Sequence, residues 1–170
     1  MSRRYGELCR RFSDGHDTTM EVSPVSSDDG GAFDRSEAYP IHRQKFSFDE
    51  ANRFANQIRW GFWLARYCRK NIDVIHCGNI RPVGYAVTWA HRRLQLPYLV
   101  YVNGGDLLRE KVKSKGTIKR VGAREILGNA SGIVATSSWV AELAGEVMDI
   151  VGIRSMPPVG AFDLGTDPVE

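Results

Sequence analysis

The chain has 170 residues, enough for one domain, with ordinary apolar content and a net charge of +3. That charge permits attraction to phosphate or acidic lipid but does not by itself argue for nucleic acid. Cys9, Cys68 and Cys77 are odd in number and lack CxxC spacing, which argues against a disulfide framework or a zinc site and suits a reducing cytosol. Residues 1–11 are basic without an apolar core, so no signal peptide is read there, and no apolar run approaches membrane-spanning length.

In chain order, residues 2–12 read as a short helix with Tyr5, Leu8 and Cys9 or Phe12 on one side. Residues 18–22 read as a strand, and 23–37, rich in Ser, Asp and Gly, as a loop. Residues 39–43 read as an edge strand, although Pro40, which cannot donate to a ladder, counts against it. Ser47 and Glu50 have capping-box spacing and open a long helix. Its expected core stripe is Ala51, Phe54, Ala55, Ile58, Phe62, Ala65 and Cys68. Trp60, Trp63, Leu64 and Tyr67 lie beyond that stripe, among Arg59, Arg66, Arg69 and Lys70. A second apolar surface of this kind suits either a further helix or an acidic membrane surface.

The apolar run 72–75 ends in His76-Cys77-Gly78-Asn79. Ile80, Val83, Val87, Ala90 and Leu94 follow at helical spacing. Pro97 opens a second apolar run, 98–102, which ends in Asn103-Gly104-Gly105-Asp106. Two strands too apolar to alternate, joined by an amphipathic helix, predict a parallel βαβ unit. A basic stretch covers 109–124, and 132–136 reads as another buried strand. Ser138 is expected to cap a helix over 139–147, followed by a last strand at 150–156 and a tail at 157–170. The reading is one α/β domain over 1–156, a doubly wound, Rossmann-like parallel sheet with helices on both faces.

Ligands of open parallel sheets bind at the carboxyl edge of the strands. That points to Asn103, Gly104, Gly105 and Asp106. Glycine lets a ligand approach the backbone, and Asp106 offers oxygens to hydroxyl groups. Asn103 does not titrate, so it hydrogen-bonds but is no base. The same four residues also read as a plain strand-to-helix turn with Asp106 as the cap. His76, at the end of the preceding strand, is a further candidate for acceptor or phosphate binding, or a structural histidine. Cys77 has no His–Asp arrangement for nucleophilic catalysis. The basic stretch lacks interleaved aromatics, which disfavours nucleic acid. No metal-ligand spacing is present.

Three words of the chain carry a resemblance: Asp73-Val74-Ile75-His76, the run from Pro97 through Asn103-Gly104-Gly105-Asp106-Leu107, and the run from Ala130 through Ser137-Ser138-Trp139 to Leu143. In this order they resemble the N-terminal, acceptor-side domain of a family 4 glycosyltransferase, half of a GT-B fold. The resemblance implies retaining, metal-independent transfer of a sugar from a nucleotide sugar to an acceptor hydroxyl, with no further cofactor. It also implies a glycine-rich turn after a first strand and a C-terminal donor-binding half with two glutamates eight positions apart. Neither is found in this sequence, so the chain reads as a piece of such an enzyme, missing both, and inactive alone. The competing reading is a non-catalytic interaction module, or one chain of a split transferase. The expected partners are the donor-binding half, or a partner chain supplying it, and an acidic membrane surface; nucleic acid is not expected. The expected location is cytoplasmic or peripheral to a membrane.

Overall fold

The computed structural model describes residues 3–14, 21–23, 30–44, 53–69 and 72–162. Ser47 and Ala51 lie outside them. The chain forms two compact units, Met1–Asn56 and Gln57–Glu170. In the first, helix α1 (Arg3–Asp14) precedes strand β1 (Glu21–Ser23), helix α2 (Gly30–Ser36) and strand β2 (Ile41–Arg43). The two strands pair in parallel. Arg43 Nε donates to Asp34 at 2.6 Å, and Arg10 Nε donates to Glu37 at 2.8 Å. The loop expected over 23–37 therefore contains a helix. Its Gly-Gly start hides it from propensity.

Helix α3 (Arg53–Tyr67) leads into the second unit: β3 (Ile75–Cys77), α4 (Val83–Leu94), β4 (Tyr98–Val102), α5 (Gly104–Lys113), α6 (Thr117–Gly128), β5 (Gly132–Ala135), α7 (Ser138–Val151) and β6 (Val159–Ala161). The strands form one parallel sheet in the order β3-β4-β5-β6. Val100 lies between Cys77 and Ile133 in register, and Tyr101 is level with Val134. The α/β fold with a Rossmann-like parallel sheet, expected from the sequence, is present. Val74 falls just before β3 rather than inside it.

Side chains alternate across a strand, so register defines two faces. Ile75, Cys77, Tyr98, Val100, Val102, Ile133 and Ala135 share one face and are all buried. Helix α4 packs against β3 and β4, α7 against β5 and β6, and α6 against both helices. Tyr98 marks this face as the one under the helices: its hydroxyl donates to the Ile126 carbonyl on α6 at 2.7 Å. Burial raises the Tyr98 phenol to about 12. The other face carries the buried Tyr101, the half-buried Leu99 and Val134, and the exposed His76.

Each helix of this unit follows from its apolar spacing. In α7, Val140, Leu143, Ala144, Val147, Met148 and Val151 repeat every three or four residues and are buried. Full burial of each large side chain contributes about 1.5–3 kcal/mol. The helix stops at Gly152, which takes φ 83°, while the Ile153 N–H bonds the Met148 carbonyl at 3.0 Å. A glycine in the left-handed region is the usual helix stop. The last strand is accordingly not at 150–156: α7 runs on to Val151, and β6 lies in the stretch expected to be a tail.

The expected core stripe of α3 is also corrected. Phe54, Ile58 and Phe62 are exposed, whereas Asn56, Trp60, Leu64, Ala65 and Cys68 are buried. Trp60 and Leu64, expected beyond the core, belong to it. Trp63 stacks on Tyr67 at 5.1 Å between ring centroids. No helix among the described residues is long and apolar enough to cross a membrane.

Candidate functional site

The chain leaves β4 at Asn103 and enters α5 at once. Asn103 is extended, with φ −126° and ψ 164°, as a cap residue is. Its side-chain oxygen accepts from the Asp106 N–H at 2.9 Å. Its amide nitrogen donates to the Asp106 carboxylate at 2.7 Å. So Asn103 is the cap, not Asp106, and it holds Asp106 from two sides. Asp106 keeps further acceptor capacity, since a carboxylate takes several hydrogen bonds. Arg109 stands 3.8 Å from its other oxygen. Among the described residues, the N–H groups of Gly104 and Gly105 have no bonded partner. The first N–H groups of a helix lack an internal acceptor and carry its positive dipole end.

Gly104 is required by a neighbour. A Cβ there would come within 2.7 Å of the Trp139 ring. Trp139 stands in the first turn of α7, which Ser137 caps by accepting from the Val140 N–H at 3.2 Å. The expected cap, Ser138, is instead the first helical residue. The Trp139 ring is 56% exposed, so it is neither core nor hidden. It makes a flat wall beside the Asn103–Asp106 turn, and the sequence reading did not pair the two.

His76 is placed on the less covered face of the sheet. Its Nδ1 lies 2.8 Å from the Tyr101 hydroxyl, and the two rings stack at 5.5 Å. Although the residue is exposed overall, its ring lies against Tyr101, and partial desolvation there lowers its pKa and favours the neutral imidazole. Hydrogen bonds thus join His76 to β4 through Tyr101, while Asn103 and Asp106 bond each other. His76 is not part of that second group.

A buried ion pair links the elements around the turn. Arg81, in the loop after β3, donates from Nε to Glu110 on α5 at 2.8 Å, and its second nitrogen meets the other carboxylate oxygen. Both side chains are largely buried. Glu110 is an acid within the basic stretch 109–124. The nearest signal was its isolation there, which does not name its partner.

Cys68 and Cys77 are poorly placed for nucleophilic chemistry. Burial raises Cys68 to about 11 and Cys77 to about 12. A thiol rather than a thiolate is a poor nucleophile. Among the described residues, no group of three His, Cys, Asp or Glu is arranged to hold a metal ion.

A carboxylate steadied by an amide, two open backbone N–H groups and an exposed indole face together suit a polyhydroxylated ligand. A search of curated proteins returns no match. A family model described as "Glycosyl transferase 4-like domain" matches residues 2–154, nearly the whole chain. With the parallel sheet and a glycine turn at its carboxyl edge, that match places the chain in the glycosyl transferase 4-like family.

Proposed function

We propose that this chain forms the acceptor-side wall of a glycosyltransferase cleft. In the complete enzyme a sugar passes from a nucleotide sugar to an acceptor hydroxyl. Retaining, metal-independent transfer belongs to this reading through the family. The carrying observation is the Asn103–Asp106 turn under Trp139. Asp106 accepts from acceptor hydroxyls, Gly104 and Gly105 donate backbone N–H groups, and Trp139 offers a stacking face to the apolar side of a sugar ring. Asn103 orients Asp106 and moves no proton. His76 is the weaker member of the set, binding rather than transferring.

The donor is bound by another domain, on the same polypeptide or on a partner chain. No two glutamates in this sequence stand eight positions apart, as the donor half of the family requires. The same observation favours a second reading, a docking module that works only through a partner.

The test is amide NMR of the purified chain with a panel of sugars and nucleotide sugars. The Gly104 and Gly105 signals should shift with free sugars offering vicinal hydroxyls, and nucleotide sugars should bind weakly or not at all. Shifts with no sugar, alongside capture of a donor-binding domain, would support the docking module. Turnover by the chain alone would overturn the division of labour.

A further inference from the structure

Helices α5 and α6 form a hairpin whose outer surface is both cationic and apolar. Leu108 and Val112 lie one turn apart on α5, with Arg109 and Lys113 beside them. Ile118 and Val121 follow on α6, with Arg124 beside Val121. Val112 is 67% exposed and Ile118 is 88% exposed, one on each side of the turn at 114–116. Scattered exposed aliphatics are ordinary, but four around one turn are a patch. Nothing in the packing requires them outside: Leu107, Ala123, Ile126 and Leu127 already fill the inner side.

The charges are one-sided. Between 103 and 124 the only acids are Asp106 and Glu110. Asp106 faces Arg109, and Glu110 is buried against Arg81. Lys111 is paired with Glu146, and Glu125 farther along α6 with Arg92. Among the described residues, Lys113, Lys115, Lys119, Arg120 and Arg124 form no ion pair. Aliphatic side chains among unpaired cations match a surface that is anionic outside and apolar beneath.

We propose that the α5–α6 hairpin docks on an anionic lipid bilayer, with Val112 and Ile118 entering the headgroup boundary and the lysines meeting lipid phosphates. The inference stands independently of the transferase reading. Asp106 precedes Arg109 by one helical turn, so docking brings the Asn103–Asp106 turn within a helix length of the lipid. A second exposed apolar row, Phe54, Ile58 and Phe62 on α3, also lies among arginines, and the variants below separate the two surfaces.

The experiment is co-sedimentation with vesicles of phosphatidylcholine, alone or carrying roughly 30 mol % phosphatidylglycerol, a strongly anionic surface. The chain should bind only the anionic vesicles and lose binding as salt rises. The pair Lys113→Glu and Lys119→Glu should weaken binding by about tenfold or more. The pair Val112→Ser and Ile118→Ser should weaken it similarly while leaving the circular dichroism melt unchanged, since both sites are exposed. Equal binding to both vesicles would overturn the proposal. So would loss of binding with Phe62→Ser but not with the hairpin variants. Self-association abolished by Ile118→Ser, without vesicle binding, would make a second copy the occupant and overturn it as well.

Discussion

Arg81 and Glu110 meet through both guanidinium prongs although 29 positions separate them, which fastens the loop after β3 to α5. Neither side chain is well solvated. Removing one partner leaves a buried charge unpaired, which typically costs about 3–5 kcal/mol. Glu110→Gln and Arg81→Met should each lower the urea midpoint strongly. The double change Arg81→Met with Glu110→Leu should recover most of that loss. Single changes costing under about 1 kcal/mol would show that the pair behaves as an exposed one.

Gly104 and Trp139 form a second cross-chain relationship. A methyl group at 104 collides with the indole ring. Gly104→Ala should cost about 1–3 kcal/mol through overpacking. Trp139→Ala alone should cost little, because the ring is largely exposed. In the double variant the Gly104→Ala penalty should shrink, and a double-mutant cycle reads the coupling. Additive effects would mean that the ring does not sit over the turn in solution.

Asn103 separates capping from charge. Asn103→Ala should cost about 1 kcal/mol, as loss of a cap does. Asn103→Asp keeps a cap acceptor but sets a second carboxylate against Asp106, where an amide donor now lies at 2.7 Å. Like charges raise carboxylate pKa values in the folded state. A raised folded pKa gives stability that is present at low pH and lost as pH rises. The Asp variant should therefore be nearest the parent at about pH 3 and furthest from it above about pH 6. Stability curves that stay parallel across that range would exclude the repulsion.

His76 has the opposite sign. Its folded pKa is lowered by desolvation, so the folded state disfavours the proton. The contribution is fully present above the unfolded value, about 6.5, and is lost as pH falls through the folded pKa. The parent should lose stability between about pH 8 and pH 5 by more than His76→Gln does, with urea midpoints as the measure. Equal losses would remove His76 as the titrating group.

The parallel sheet was legible because β4 and β5 come from continuous apolar runs, a pattern that needs no partner to be read, whereas β3 shares only Ile75 with the run at 72–75. The Asn103–Asp106 turn was legible because glycines at a strand end are rare without cause. The face of α3 was not. With Phe54, Trp60, Phe62, Trp63 and Leu64 spread round the helix, several stripes fit, and only packing chooses Trp60 and Leu64. Helix α2 was masked by its Gly-Gly start, and β6 by its three-residue length. The pairings of Arg81 with Glu110 and of Gly104 with Trp139 depend on tertiary contact, and no local pattern encodes them.

The cysteines give this chain a built-in clock. Cys77 lies fully buried in β3, Cys68 is buried just beyond α3, and Cys9 is only partly covered on α1. A thiol reagent can modify a shielded cysteine only when its surroundings open. Pulse labelling would thus time three openings in one sample without any engineered probe. Cys9 should react first. The lag between Cys68 and Cys77 would then tell whether the end of α3 peels away before β3 leaves the sheet or the two let go together.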